Sequence, residues 1–587
     1  MPEGGLNTEA IAELDAMLRG RWPGSSRLPL AATKARFPIR QDLQASWRLP
    51  GALEGSSEAL LISIDGAFPW TLPRVALEKP VGGISSPHVE ADGQICVAPS
   101  SAVFELPVGL QHVEALVDDA ALVLKNGRSG ALDEDFFSEA HSYWSQVEPV
   151  AGTFLLLGET PYEHSLCMAA SCGGHIVIAA SAQEIKEWAL RAQQDVGVPE
   201  QGFVLALNAP LHPRDYPLKP QDLLDLCEEV EATDVLRQAV KQWTMKTPLR
   251  VVLAFPHNAK RVFLGAEIPP PHSVRIPGAP NLGTPGFRPS VKGVTARLAA
   301  VARNPNRFKH WKAIPIHRRF LRERTAGPQA AALHDCHVVV IGCGALGGQL
   351  AVQLAQAGVG QLTLLDAEVL DWRNVGRHVL DGASVGKNKA LELKDAILRR
   401  FPDAAISAVA TSWERHYAVA PQAFDHVDLV VSATAEPASN RHLDELSKSG
   451  AIAPVIFGWM EPFAVSAHAA LRYTGGAGLS DITDNCGLLL QPVVDLASAP
   501  ALPQEPSCGA FFQPYSSLSA LACVSLVAEL ALDALLGRVA FSRIRTWVGA
   551  ASAFQDNQLS LTPEWHTRLN RMGFSRIYDR PIHVANP

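Results

Sequence analysis

The sequence predicts an α/β multidomain protein in three parts, with boundaries near residues 150 and 315. Three observations carry that expectation. At 587 residues the chain is long enough for two to four domains. Between His337 and Asp366 an apolar run, a glycine-rich turn, an apolar helical pattern and a second apolar run follow one another, the order of a nucleotide-binding α/β unit. Upstream, strand-like and helical stretches alternate through residues 151–315.

Composition excludes several classes. With 47% hydrophobic and 19% charged residues, a packed core is expected and global disorder is not. A formal net charge of −8 argues against a nucleic-acid-coating protein. The first fifteen residues show no basic region followed by an apolar stretch, so no signal peptide is read. The most apolar long segment, Ser516 to Gly537, contains Glu529 and Asp533 and reads as a buried helix, not a membrane span. Nine scattered cysteines form no C-x-x-C pair, which disfavours a four-Cys zinc site and a disulfide framework and fits a reducing cytoplasm.

Residues 1–150 begin with helical spacing over Thr8 to Arg19, followed by strand-like runs at Ala45–Leu49 and Leu60–Ile64. Pro69 and Pro73 then place an extended edge or loop, since proline cannot donate to a sheet ladder. The stretch Ser85 to Ser100 holds His88 and Cys96, and two helical patterns close the region at Val113–Leu124 and Asp133–Gln146. A thiol here suits acyl carriage, because the thiolate is both a good nucleophile and a good leaving group.

In residues 151–315, strands are expected at Phe154–Leu157, His175–Ala179, Phe203–Leu207 and Arg250–Phe255, with helices at Ala182–Gln193 and Asp222–Trp243. Cys167, Cys172, His164 and His175 are the only ligand-type cluster, and their apolar surroundings read as packed core. Glu267 to Ser290 is rich in Pro and Gly and reads as a long irregular linker.

Residues 316–587 carry the Rossmann-like unit. Gly342, Gly344 and Gly347 allow a tight turn and close backbone approach to phosphate at the start of a helix. Asp366 closes the second strand, where an acid binds ribose hydroxyls. Asn374 follows, with Arg377, Lys387 and Lys389 as a basic set suited to neutralising a triphosphate and its leaving pyrophosphate. That set favours an ATP-dependent adenylating enzyme over a nicotinamide oxidoreductase. Cys486 and Cys508 lie in a later irregular stretch. Cys508 is preferred as a nucleophile because its PSCG setting is loop-like and precedes the apolar helix, whose N-terminal dipole lowers a thiol pKa.

The order Asp366, Asn374-x-x-Arg377, Gly386-x-x-Lys389 resembles the adenylation domain of ubiquitin-activating enzymes and of bacterial ThiF-type activating proteins. That resemblance implies ATP, and a magnesium ion held partly by Glu436, which stands five residues before Arg441 where the family has an Asp. It also implies a homodimer in which Arg318 or Arg319 reaches the ATP phosphates, and a cysteine thioester on a mobile segment. The N-terminal order resembles the ubiquitin-conjugating fold. Ser86-Pro87-His88 matches its His-Pro-Asn triplet, and Gly93-Gln94-Ile95-Cys96-Val97, eight residues from His88 to Cys96, matches its active-site motif. The resemblance makes Cys96 the acyl carrier and gives His88 the family Asn's task of steadying an oxyanion. A conjugating module before an activating module, flanking an α/β domain, resembles the fused proteins of bacterial type II CBASS anti-phage operons. There the implied donor is the C-terminus of a cGAS-like nucleotidyltransferase and the acceptor a target lysine. Three other readings stay open: an activator of a sulfur carrier, a nicotinamide oxidoreductase, and an N-terminal module that only docks.

Overall fold

The structure, a computed structural model, describes residues 5–38, 40, 42–79, 86–90, 92–97, 106–158, 163–258, 260–270, 293–317, 320–321, 329–500 and 514–583. These form two compact units, one drawn from residues 1–185 and 197–314, the other from 186–196 and 315–587.

The first unit opens with an antiparallel sheet of β1 (Ser26–Arg27), β2 (Leu43–Pro50), β3 (Ala59–Asp65), β4 (Arg74–Leu77) and β5 (Gln94–Ile95), paired in chain order. The expected strands Ala45–Leu49 and Leu60–Ile64 lie inside β2 and β3. Alternation explains the pairing: Ala45, Trp47 and Leu49 of β2 and Leu60, Ile62 and Ile64 of β3 enter one buried cluster. The helix Leu110–Arg128 covers that face with Val113, Val117, Ala120 and Leu124, a spacing that keeps one helical stripe on the sheet. Each of the Val, Leu and Ile side chains among them contributes about 1.5–3 kcal/mol by leaving water.

The rest of this unit combines helices with strands, as the alternation suggested, and the strands close into a barrel. Its strands are β6 (Thr153–Leu156), β7 (Ser165–Cys172), β8 (His175–Ala179), β9 (Glu200–Ala206), β10 (Leu249–His257), β11 (Lys260–Ile268) and β12 (Lys309–Pro315), in the order β10-β11-β12-β6-β8-β7-β9. Cys167 is buried in the cluster that holds Phe154 of β6 and Val252 and Ala254 of β10. His164 binds the Val230 carbonyl through Nε2 and accepts the Ala206 N–H at Nδ1. Among the described residues no group of three potential ligands could hold a metal.

Two expected helices are each broken in two. Asp222–Trp243 becomes Pro220–Glu229 and Thr233–Gln242, with Glu231 between them at φ 59°. Asp133–Gln146 becomes Asp133–Ser138 and Ala140–Val147, interrupted at Glu139 (φ −108°, ψ 23°). The expected linker begins inside β11, which extends to Ile268; residues 271–290 of it lie outside the described residues.

The second unit is a sheet of eight strands: β13 (His337–Ile341), β14 (Gln361–Leu365), β15 (Ala405–Val409), β16 (Leu429–Ser432), β17 (Val455–Met460), β18 (Ser466–Arg472), β19 (Arg543–Val548) and β20 (Arg576–Pro581). The order is β15-β14-β13-β16-β17-β18-β19-β20. The first five strands are parallel, and β18, β19 and β20 continue antiparallel. The chain runs from β13 outward to β14 and β15, then returns to the other side of β13 as β16. That reversal is the topological switch point at which α/β sheets open a crevice for ligands. The apolar segment forms the helix Ser517–Leu535, long and apolar enough to cross a membrane by length and composition. It buries Cys523, Val524, Leu526, Val527, Leu530 and Ala531 in the main cluster of this unit, with Leu350 and Leu354 of the helix Ala345–Ala357.

Candidate active sites

The glycine turn leaves β13 at the switch point. Gly342 has φ +83°, a left-handed conformation that glycine adopts without strain. A Cβ on Gly347 would lie 1.8 Å from the Gly342 carbonyl oxygen, so only glycine lets the first helical turn close back on the strand end. Among the described residues a Cβ on Gly344 would meet nothing within 4 Å, which leaves open space above the helix start. Gly344 is the N-cap of Ala345–Ala357 and makes no side-chain cap, so free N–H groups and the positive end of the dipole face that space.

Two side chains brace the turn. Asp366 Oδ2 accepts the Cys343 N–H at 2.7 Å, while Oδ1 accepts the Glu368 N–H at 2.7 Å. His378 holds the other side: Leu380 N–H donates to Nδ1 (3.0 Å), so Nε2 carries the hydrogen and donates to the Cys343 carbonyl at 2.7 Å. Burial, ahead of the nearby Lys389 and Arg377, holds its pKa below the usual histidine value. The sequence reading missed His378. Its only signal there is position, directly after the Asn374-x-x-Arg377 pattern. Cys343 is fully buried in the turn, and burial followed by the Asp366 charge drives its thiol pKa well up.

The basic set converges on the same end of the sheet. Lys389 opens the helix Lys389–Arg400 with its side chain 6% exposed, and its ammonium pairs with Glu368, which is 73% exposed. A buried cation at a helix N-terminus opposes the helix dipole, so this lysine depends on an anion. Asn388 caps the same helix and donates to the Asp366 and Glu368 carbonyls, tying helix to loop. Asn374 acts locally, accepting the Asp371 N–H at 3.2 Å in a capping box. Arg377 is half-buried, with its guanidinium 5.5 Å from the centre of the Tyr515 ring.

Glu436 is the exposed N-cap of the helix Pro437–Ser449, at the end of β16 beside the crevice. One carboxylate there suits magnesium, which takes one or two protein carboxylates and completes its shell with phosphates and water. Arg441 stands five residues further on, in the same helix. Its guanidinium donates to the Asp484 and Asn485 carbonyls at 3.2 and 2.8 Å, and a Cβ on Gly487 would lie 2.6 Å from Pro437. Cys486, between them, is therefore an exposed thiol on a loop seated at this helix start. Arg318, Arg319 and Cys508 lie outside the described residues.

In the first unit, Cys96 is exposed at the end of β5, and its N–H donates to the His88 carbonyl at 2.8 Å. Burial, then the charges of Glu139 and Glu90, pushes the Cys96 thiol up. His88 has φ 61°. Its N–H donates to Tyr143 Oη (2.8 Å), its Nε2 meets Asp135 Oδ2 (3.0 Å), and its Nδ1 is 3.7 Å from Glu139 Oε1. Both ring nitrogens thus face carboxylates. Tyr143 also donates to Glu139 Oε2 at 3.0 Å. The break at Glu139 makes this possible, because it lets one helix supply Asp135 and the next Tyr143 to the same turn.

Residues 318–468 match the ThiF family, and residues 20–152 match prokaryotic E2 family B. An ATP-dependent ubiquitin transferase-like protein, Cap2, of Enterobacter hormaechei is 29% identical over 213 residues, 35% of this chain and 34% of that protein. Its counterpart in Pseudomonas aeruginosa is 27% identical over 233 residues, covering 38% of this chain and 40% of that one. The molybdopterin-synthase adenylyltransferase of Escherichia coli is 42% identical over 79 residues, 13% of this chain and 32% of its own. The chain spans about a third to two fifths of the length of these curated relatives.

Proposed function

We propose that this chain, a fusion of an E2-like segment and a ThiF-like activating segment, is an ATP-dependent activating and conjugating enzyme. It adenylates the C-terminal carboxylate of a donor protein and passes the acyl group through cysteine thioesters to a target amine. The observation that carries the reading is the braced glycine turn with Lys389 and Arg377 beside it. The ThiF-family match over those residues supports it.

ATP would supply the activated leaving group, and magnesium, which Glu436 would hold in part, would offset phosphate charge. The chain's own part is positioning. Gly342, Gly344 and Gly347 admit phosphate to the helix start, with Asp366 and His378 holding the turn in shape. The Asp366 carboxylate already serves the turn through both oxygens, so its ribose contact adds to an existing bracing role. Lys389 and Arg377 stabilise charge as the carboxylate attacks the α-phosphate. Arg318 or Arg319, supplied from a second copy in a homodimer, would add to them.

The acyl group moves next to Cys508, then to Cys96, and last to a lysine of the target. Cys508 stands seven positions before Tyr515 in the sequence, and the Arg377 guanidinium lies 5.5 Å from the centre of the Tyr515 ring. The seating of Cys486 at the Glu436 helix start favours it as the alternative thiol. By resemblance the donor is a cGAS-like nucleotidyltransferase in cytoplasmic anti-phage defence. The likeness to molybdopterin-synthase adenylyltransferase supports a second reading, activation of a sulfur-carrier protein, which needs no Cys96.

The test is a donor screen. The full chain is incubated with ATP, magnesium and candidate donors, including a cGAS-like nucleotidyltransferase, and pyrophosphate release is read. Release with an intact donor C-terminus, lost in Lys389→Ala and Arg377→Ala, supports adenylation. Conjugation lost in Cys96→Ala while pyrophosphate release persists separates this reading from the sulfur-carrier one. Absence of ATP-dependent release with every donor sinks both.

A further inference from the structure

The His88 ring sits between two carboxylates, a setting that an oxyanion-steadying amide does not need. Asp135 can only accept, so the Nε2 it meets at 3.0 Å carries the ring hydrogen. In the neutral ring the lone pair is then on Nδ1. Glu139 Oε1 waits 3.7 Å from that atom, too far to bond to it, but placed to stabilise an imidazolium once Nδ1 gains a proton. The ring is 22% exposed and its acids 38% and 43%, so an incoming amine has access. The backbone is fixed independently: Tyr143 Oη holds the His88 N–H, and the His88 carbonyl holds the Cys96 N–H. A base within reach of a nucleophile or leaving group, oriented by a third group, is the recurring arrangement of acyl transfer.

We propose that His88 takes the proton from the amine that attacks the Cys96 thioester, with Asp135 as the positioning residue that sets its tautomer. The inference rests on the assigned role of Cys96 as acyl carrier, not on ATP activation. In the step, the amine nitrogen bonds to the thioester carbon and its proton passes to His88 Nδ1. The carbon–sulfur bond then breaks and Cys96 departs as thiolate, with no change in oxidation state. Asp135 keeps Nε2 protonated throughout, and Glu139 balances the transient imidazolium. The titratable groups facing the ring are Asp135, Glu139 and Tyr143, with Cys96 across the turn.

The test needs neither ATP nor the natural donor. The full chain with Cys486→Ser and Cys508→Ser is charged on Cys96 by thiol exchange with a short glycine-ended peptide thioester. Its discharge to free lysine is followed between about pH 6 and pH 9, with His88→Asn and Asp135→Asn alongside. His88→Asn keeps an N–H donor for Asp135 but cannot take up a proton. It should charge normally and discharge at least about tenfold slower, with the wild-type to variant ratio rising with pH to a plateau. Asp135→Asn removes an anion that favours the imidazolium, so the midpoint of that rise should move to lower pH. Discharge of His88→Asn at the wild-type rate would overturn the proposal, since an N–H donor would then suffice. Slowing in Asp135→Asn with an unmoved midpoint would overturn it too, because that is a structural effect. Failure of the ATP-dependent reaction would leave both outcomes readable.

Discussion

Replacing Gly344 and Gly347 separately by alanine divides the glycine turn into a structural part and a binding part. At Gly347 the new methyl would sit 1.8 Å from the Gly342 oxygen, 3.0 Å from its carbonyl carbon and 3.1 Å from Ala433 Cβ. Backbone on one side and a packed alanine on the other cannot give way cheaply. Overpacking of this kind costs about 1–3 kcal/mol, against roughly 1 kcal/mol of helix propensity gained. The net loss, up to about 2 kcal/mol, lowers the unfolding midpoint by as much as roughly 4–8 °C. At Gly344 the methyl meets nothing within 4 Å among the described residues, and its φ of −76° is open to any residue. The fold should hold to within about 1 kcal/mol, the scale of a cap substitution. The methyl nevertheless fills the space a phosphate needs. The assay is thermal unfolding of the full chain with and without ATP and magnesium. At a ligand concentration about a hundred times Kd, wild type should gain about 2.7 kcal/mol. Gly344→Ala should start from a near-normal midpoint and lose most of that gain. Gly347→Ala should start low. A Gly344→Ala variant with the full ATP-dependent shift would refute the assignment of the turn as the phosphate cradle.

Other perturbations test the surrounding architecture. Glu368→Gln removes the exposed anion that pairs with the buried Lys389 ammonium, and should cost about 1–3 kcal/mol in the nucleotide-free chain, with part of that loss restored by ATP. Equal destabilisation with and without ATP would show that Lys389 never reaches the nucleotide. Glu461→Gln strikes a buried acid whose oxygens accept from His468 and from the Val493 and Val494 N–H groups. A loss of about 3–5 kcal/mol is expected from breaking such a network, and protease cleavage near Val493 should rise with it. Acid should destabilise the protein through histidines that burial keeps neutral, among them His378 and His310, the latter stacked 3.6 Å from Trp144. Their folded pKa values lie below the unfolded value near 6.5, so the unfolded chain binds more protons in that window. The stability they contribute is full above about pH 6.5 and falls as pH drops from there towards the lowered folded pKa values. His310→Gln should flatten the loss in the first unit; an unchanged slope would exclude that histidine.

What the sequence made legible was local. Apolar runs at His337–Ile341 and Leu362–Leu365 and the glycines between them recover β13, most of β14 and the turn, because strand length, helix period and glycine placement are each decided within a few residues. The barrel was not legible as a barrel. Its closure pairs β6 with β8 and β7 with β9, contacts that no periodicity encodes, and β12 reads as an ordinary polar stretch. Helix breaks at Glu139 and Glu231 were invisible for a related reason. Both residues are good helix formers, and only the surrounding packing holds them out of the helix. The break at Glu139 is also what creates the carboxylate setting of His88, so that part of the site could not be read before the fold. His378 escaped notice because a buried histidine that braces a turn has no spacing signature. Cys96 and Lys389, by contrast, stood out through the motifs around them.

The most direct test of the account follows the acyl group between the two thiols. The full chain, its Cys508→Ala and Cys96→Ala variants, ATP, magnesium and a donor found by the screen are combined. Thiol-sensitive adducts are then located by mass spectrometry. The account predicts an adduct on Cys96 in wild type, its absence from Cys96 in Cys508→Ala, and its retention on Cys508 in Cys96→Ala, all dependent on ATP. Charging of Cys96 that persists undiminished in Cys508→Ala would contradict the proposed order of transfer and hand the first thioester to Cys486 or to no cysteine at all.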